Sequence, residues 1–219
     1  MGNYQISKLN RVKRGANRAS YDQKQIHDIL DAGFIGHVGY IYDNTPISIP
    51  MAYARKKNNL FLHGSSANRM LKSILKAGKT SITVMHLDGL VLARSGFHHS
   101  VNYRSATVFG PVQNVSNGAA KVKILEMITE HMIEGRWPHL RKISEEELAR
   151  TLVVEFTINT AVAKIRKEGV NDDPEDVNLP IWAGIVPIKQ IALPAISDQH
   201  LDTTIHIPDH VTHYIRKHQ

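Results

Sequence analysis

Apolar residues recur along this chain at two spacings, one typical of strands and one typical of helices. The apolar segments 34–42 and 47–55 flank the turn-forming sequence Asp43-Asn44-Thr45-Pro46, which predicts a hairpin. A third strand is predicted over 60–63. Helical spacing begins soon afterwards and continues to Gly78, so we predict a short helix directly after a strand.

Two capping boxes predict where further helices start. Ser20-Tyr21-Asp22-Gln23 predicts Ser20 as the N-cap of a helix that ends at Gly33, and Ser144-Glu145-Glu146-Glu147 predicts another helix. A longer helix is expected over 119–134. The segments 80–86 and 91–94 predict one strand, or two collinear pieces broken at Asp88-Gly89. The other apolar segments predict strands over 103–115, over 151–167 as one long strand, and over 182–196.

The order of these elements has many strands, few helices and no regular alternation of strand and helix. This order predicts an α+β fold, mainly β, built around an antiparallel barrel or a strongly bent sheet. With 219 residues, 42% of them hydrophobic, the chain is long enough to bury one sizeable core. We predict a basic N-terminal arm over 1–19, a single domain over 20–196 and a C-terminal extension over 197–219.

Composition narrows the classes of site and partner. The chain has no cysteine, which excludes disulfides and thiolate chemistry, and we expect a cytoplasmic protein. The most apolar late run, 179–188, is too short to span a membrane, so we expect no membrane partner. The formal net charge is +7. Because no nucleic-acid-binding signature accompanies the basic residues of 1–19, we predict a solvated arm and keep nucleic acid as an alternative partner.

The sequence His63-Gly64-Ser65-Ser66-Ala67-Asn68-Arg69-Met70-Leu71-Lys72 passes from a predicted strand into a predicted helix. A helix N-terminus carries unpaired N–H groups and positive dipole, and glycine lets an anion approach the backbone. Arg69 and Lys72 add charge. The segment therefore predicts a phosphate cradle, with a capped helix start that carries exposed basic residues as the alternative.

A second polar segment runs from Arg94 to Ser105, where a hairpin needs only a turn. Arg94 and Arg104 suit anions, and Asn102 and Ser105 suit the edge of a polar ring. Each of them has packing as its alternative role.

Histidines and tryptophan supply the remaining candidates. His98 and His99 are adjacent, so their side chains point to opposite faces of an extended segment, and we predict no metal site there. Trp182 is expected to pack, although an indole can also wall a flat aromatic ligand. The sequence lacks common hydrolase motifs, a Walker loop and the motif G-x-G-x-x-G.

Several short sequences of this chain occur together in one known family. They are Arg11-Val12-Lys13-Arg14, Arg18-Ala19-Ser20-Tyr21-Asp22, Leu62-His63-Gly64, Arg69-Met70-Leu71-Lys72, Asp88-Gly89-Leu90-Val91-Leu92-Ala93-Arg94-Ser95, His98-His99-Ser100-Val101-Asn102-Tyr103-Arg104-Ser105, Gly135-Arg136-Trp137, Lys164-Ile165-Arg166 and Trp182-Ala183-Gly184. Through them the chain resembles the flavin-nucleotide-binding proteins related to pyridoxamine 5'-phosphate oxidase, which share the FMN-binding split-barrel fold. The resemblance extends from about Arg11 to Pro187.

The resemblance implies a six-stranded antiparallel, Greek-key-like barrel with peripheral helices, and a homodimer with FMN at its interface. It also implies that Arg69 is the first residue to consider for the FMN phosphate, and that backbone groups of residues 50–53 bond the isoalloxazine ring. The cofactor-binding residues that it suggests are Pro50, Met51, Ala52, Tyr53, His63, Gly64, Ser65, Ser66, Arg69, Lys72, Asn102, Arg104, Ser105 and Trp182.

We therefore expect an FMN-dependent oxidoreductase that acts on a small or planar substrate, with His63 as the candidate proton donor. True pyridoxamine phosphate oxidases carry an arginine shortly after their tryptophan. Here none follows Trp182 before Arg216, so oxidation of vitamin B6 itself is not expected. A non-catalytic flavin carrier is one alternative. A haem-binding split-barrel protein, with His63, His98 and His99 as candidate ligands, is another.

Overall fold

The computed structural model describes residues 2–219. Its strands are β1 (Ala19–Ser20), β2 (Ile35–Tyr42), β3 (Thr45–Lys56), β4 (Asn59–Ser65), β5 (Lys79–Leu92), β6 (Ser100–Asn114), β7 (Thr151–Thr157), β8 (Thr160–Arg166) and β9 (Gly184–Pro187). Its helices are α1 (Gln23–Asp31), α2 (Arg69–Ala77), α3 (Gly118–Met132), α4 (Glu145–Ala149) and α5 (Asp209–Lys217). No helix within residues 2–219 is both long and apolar enough to cross a membrane.

Six antiparallel strands close into a barrel. The order around it is β6-β7-β4-β3-β2-β5, and β5 pairs again with β6. β8 pairs with β6 and carries β1 on its other edge, while β9 pairs with the end of β5. Inward side chains such as Tyr53, Leu62 and Phe156 pack with α1 and α2 into one core. The predicted mainly-β α+β fold with a six-stranded barrel is confirmed.

The first helix starts two residues later than its capping box predicts. Ser20 still belongs to β1 and pairs with Ala163 on β8, so the chain is extended there. Asp22 is the N-cap, and its side chain accepts a hydrogen bond from the Gln25 amide at 2.8 Å. The prediction of Ser20 as N-cap was wrong because pairing with β8 holds that residue in a strand.

The strand predicted over 151–167 is also wrong, since it is a hairpin of β7 and β8. Ile158 in the turn is buried in the core, so the apolar alternation continues through the turn and hides it. At the other end of the chain, the strand predicted over 182–196 is limited to β9. The capping box at Ser144 is confirmed, because the Ser144 and Glu147 side chains each bond the other's backbone amide.

Two buried residues anchor the N-terminal segment to the barrel. The Tyr4 hydroxyl bonds the Nε2 atom of His27 at 3.1 Å, and burial raises the pKa of Tyr4 to about 12. The buried Asn10 side chain donates to the Ala161 carbonyl on β8 at 3.0 Å. The basic side chains Lys8, Arg11, Lys13 and Arg14 remain exposed.

Candidate functional site

The strand register sorts the predicted site residues between the two faces of the barrel wall. Met51 and Tyr53 face the core, so Pro50 and Ala52, which alternate with them along β3, face outward. His37 lies opposite Pro50, and the same face continues through β5 to β6. We call this surface the outer face; its residues are Pro46, Ser48, Pro50, Ala52, Ile35, His37, Gly39, Ile41, Ser81, Thr83, Met85, Leu87, Leu90, Val101, Tyr103, Ser105 and Thr107.

The centre of the outer face is apolar and open. Met85 is 56% exposed, and Leu87, Leu90 and Val101, which follow it along the face towards the turn from β5 to β6, are exposed as well. A contiguous apolar patch of this kind usually marks a surface that another molecule covers. The outer face is thus the part of the barrel wall best suited to bind a flat ligand or a second chain.

A gap in the barrel wall opens beside the outer face. β3 pairs with β4 only over 53–56, and beyond these residues the two strands part. The Tyr53 amide donates to the Phe34 carbonyl beside β2 at 2.9 Å. Backbone direction alternates along a strand, so the amide of Ala52 and the carbonyl of Pro50 point into the gap. Proline has no backbone N–H, and at this unpaired edge Pro50 therefore costs β3 no inter-strand hydrogen bond.

His63 lies on β4 at this gap. It follows Leu62, which faces the core, so its side chain points outward like that of Ala52. Its Nδ1 atom is buried and has no hydrogen-bond partner within residues 2–219. Burial lowers the pKa of His63, which favours a neutral ring at neutral pH. A ligand in the gap would find an imidazole able to donate or accept a hydrogen bond.

Three cations of α2 line an open pocket of about 480 Å³ between this helix and the turn from β2 to β3. The Arg69 guanidinium lies 4.4 Å from the centroid of the Tyr42 ring and 3.4 Å from the Tyr40 hydroxyl. Because Ile41 belongs to the outer face and also lines the pocket, the two surfaces adjoin. The lining residues are Ile41, Tyr42, Asp43, Ala67, Arg69, Lys72, Ser73 and Lys76.

The start of α2 differs from the predicted cradle. Asn68 is the N-cap and accepts from the Leu71 amide at 3.0 Å, while the Ser65 hydroxyl accepts from the Ala67 amide at 3.1 Å. The Ser66 amide donates to the Arg150 carbonyl. A side chain on Gly64 would approach Leu71, so this glycine lets the helix pack closely.

Arg69, Lys72 and Lys76 all line the same pocket, so the positive charge of α2 lies along one side of the helix. Sequence reasoning missed Lys76 in this group. The i, i+3, i+7 spacing of Arg69, Lys72 and Lys76 was the available signal.

Most polar side chains of the segment from Arg94 to Ser105 bond within the chain. Asn102 is buried, accepts from the Nη1 atom of Arg166 at 2.6 Å and donates to the Glu168 carbonyl at 3.0 Å. The Arg104 side chain makes a two-pronged ion pair with Asp88 at 2.9 Å. The Ser105 hydroxyl, on the outer face, donates to the Lys164 carbonyl at 3.2 Å.

The two adjacent histidines have different partners. The Nε2 atom of His98 lies 3.1 Å from an Asp173 carboxylate oxygen, while the Nδ1 atom of His99 lies 2.8 Å from the Ser95 carbonyl oxygen. Trp182 is 65% exposed. Among residues 2–219, no group of three histidine, aspartate or glutamate side chains could hold a metal ion.

Residues 22–165, which include β2 to β7 and most of β8, match the sequence model of the pyridoxamine 5'-phosphate oxidase family. The chain belongs to this family. The family inferred from the short sequences is therefore confirmed, and with it the split-barrel fold. No curated protein sequence matches the chain.

Solved structures extend the comparison beyond the family region. The flavocytochrome Anf3 from Azotobacter vinelandii is 33% identical, with a TM-score of 0.90 over 95% of this chain and 97% of that chain. The FAD and heme binding protein from Mycobacterium smegmatis is 28% identical, with a TM-score of 0.86 over 90% of this chain and 97% of that chain. A FAD-binding protein from Mesorhizobium loti is 12% identical. It shares the fold over 68% of this chain and 98% of that chain, with a TM-score of 0.50.

These matches differ in how much of the C-terminal region they include. The family region ends at residue 165, and the Mesorhizobium loti structure covers 68% of the chain. The flavocytochrome and the Mycobacterium smegmatis protein cover 95% and 90%, which necessarily includes most of 166–219. More than half of residues 166–219 is thus shared with these two proteins.

Proposed function

We propose that this protein binds a flavin nucleotide on the outer face of a homodimer and acts as an oxidoreductase. The observation that carries the proposal is the free backbone edge of Pro50 and Ala52, which offers one amide and one carbonyl to the gap beside this face. An isoalloxazine ring has donors and acceptors on one edge and would match this edge. The bound flavin would supply the redox chemistry, while the protein positions it and controls access.

The cationic pocket fits the phosphate end of the same ligand. From Ile41 at the pocket to His37 opposite Pro50, β2 extends about 13 Å. A ring beside Pro50 would therefore leave its phosphate chain directed along β2 to Arg69 and Lys72. The Ser65 and Ser66 hydroxyls are further candidates for phosphate contacts.

We expect FMN, as the resemblance implies. FAD is the second candidate, because a protein 28% identical over 90% of the chain is a FAD and heme binding protein. Mass spectrometry of the flavin released by heat denaturation separates the two.

The remaining predicted contacts divide by their place in the fold. His63 would donate a proton or a hydrogen bond to the ring from across the gap, and Ser105 would contact it from the outer face. Trp182 would wall it from the far end of that face. Asn102 and Arg104 bond within the chain and would act on the flavin by supporting this face rather than by contact.

Replacing Arg69 with alanine should weaken flavin binding about 10- to 100-fold, since a hydrogen bond to a charged group contributes about 1.5–3 kcal/mol. Titration of the flavin-free protein, followed by flavin fluorescence, measures the change. Arg216→Ala, which removes an exposed arginine from α5, is the matched control and should bind flavin like the wild type. Unchanged affinity in Arg69→Ala would move the phosphate contact to Lys72.

The homodimer is expected to form through the outer face. Met85→Glu places a charge at the centre of its apolar patch and should convert the dimer to a monomer, with about half the mass in light scattering. Met132→Glu changes an exposed methionine at the end of α3 and should leave the mass unchanged. A monomeric wild-type protein would contradict the proposed interface.

Haem binding in addition to flavin binding is a second candidate function. The observation in its favour is that the flavocytochrome and the FAD and heme binding protein share most of 166–219 with this chain, beyond the family region. The absorption spectrum of the purified protein tests both cofactors. A flavin absorbs near about 450 nm and a haem has an intense band near about 400 nm.

A further inference from the structure

The outer face ends in an apolar surface beside the turn from β5 to β6. Leu90 pairs with Val101 on one side and with Val186 on the other, and all three side chains are exposed. Phe97 in the turn is 90% exposed. So much apolar surface within one small region indicates that a ligand or partner covers it.

Trp182 lies over the same surface. A side chain built on Gly184 would meet the indole ring at 2.8 Å, so the ring occupies the side of β9 on which Val186 also lies. Gly184 pairs with Leu92, the strand residue that follows the apolar pairs. We call the surface formed by Leu90, Val101, Val186 and Trp182 the distal patch.

His99 adjoins the distal patch and has a defined tautomer. It directly precedes β6 and has an extended backbone, with φ −58° and ψ 141°, so the strand alternation continues to it and places its side chain on the face of Val101. Its Nδ1 atom lies 2.8 Å from the Ser95 carbonyl oxygen. A carbonyl can only accept, so Nδ1 carries a proton, and in the neutral ring Nε2 then keeps its lone pair. Histidines that bind metal commonly hold their second nitrogen in this way.

The other two candidate iron ligands are placed differently. The Nε2 atom of His98 is paired with Asp173, which directs that ring to the loop 171–179, called here the acidic loop. His63 lies at the gap between β3 and β4, beside the backbone edge that suits a flavin. Of these three histidines, His99 alone combines an Nε2 atom that has no hydrogen-bond partner within residues 2–219 with an adjoining apolar surface.

We propose that His99 would ligate the iron of a haem that binds at the distal patch, with Trp182 against the macrocycle. This proposal rests on the second candidate function, haem binding. The patch lies on the outer face beyond the proposed flavin site, with about 13 Å of strand between Ser105 and Val101. Both ligands would therefore share one face of the barrel.

Titration with hemin, followed by its intense band near about 400 nm, tests the assignment in the full chain. The wild type should bind one hemin per chain. His99→Ala should bind hemin at least about tenfold more weakly and shift the band, and added imidazole should restore the wild-type band. His98→Ala is the matched control and should keep the wild-type spectrum and affinity.

The outcomes separate the ligand from the function. If the wild type binds no hemin, haem binding itself fails, and the assignment fails with it. If the wild type binds hemin and His99→Ala gives the same spectrum and affinity, haem binding stands and His99 is overturned as the ligand. Circular dichroism establishes that His99→Ala is folded, and His99→Gln, which keeps a polar side chain, repeats the test if it is not.

Discussion

Alanine in place of Gly110 should lower the free energy of unfolding by about 3 kcal/mol or more. Gly110 lies where β6 leaves β8 and begins to pair with β7. A Cβ atom there would lie 1.7 Å from the Thr157 carbonyl oxygen and 2.9 Å from its carbon, and both atoms are backbone. The turn around Thr157 cannot retreat freely, because the Asn159 amide donates to the Phe109 carbonyl at 2.9 Å.

Urea unfolding measures this change, and a second glycine provides the control. A side chain at Gly118, the first residue of α3, would meet no atom within 4 Å. Gly118→Ala should therefore change the free energy of unfolding by no more than about 0.5 kcal/mol, or stabilise the helix slightly. A Gly110→Ala protein with the wild-type urea midpoint would show that the corner of β6 tolerates a side chain.

Alanine in place of Asn102 should cost about 3 kcal/mol of stability. The side chain of Arg166 is only 4% exposed, and Asn102 supplies one of its hydrogen-bond acceptors. Carbonyls of Glu168 and Gly169 also accept from this guanidinium, so the change weakens its contacts without removing all of them. A buried charge that loses a hydrogen bond costs more than a neutral group.

Thermal or urea unfolding measures the effect, with Asn114→Ala as the control at an exposed position near the end of the same strand. The control should unfold like the wild type. The result also separates two roles of Asn102. Lost flavin affinity with wild-type stability would mean direct contact with the flavin and would contradict the structural role.

The family and the location of the main candidate segments follow from the sequence. The sequence 50–53 was identified by resemblance, yet its residues divide between two faces of β3. Local pattern does not decide which residues face inward, because Met51 and Tyr53 alternate with Pro50 and Ala52, which are also apolar. The packing of Tyr53 into the core fixes which residues of β3 face inward. It also directs the backbone amide of Ala52 into the gap between β3 and β4.

The polar segment from Arg94 to Ser105 shows a second limit. Its composition predicts chemistry, but several of its side chains bond residues far along the chain. Arg94 pairs with Asp172, and Asn102 holds Arg166. Such partners depend on how β6, β8 and the acidic loop meet in space, which local spacing does not encode.

By itself, the sequence determined the family, the mainly-β barrel, the hairpin at Asp43 and the short basic helix that ends at Gly78. These features depend on residue spacing, turn residues and short motifs, which act over a few neighbouring positions. The tertiary structure alone decided that Pro50, Ala52 and Ser105 share one outer face and that the α2 cations adjoin it. Strand register and packing bring together residues distant in sequence, and only those contacts determine which side chains meet.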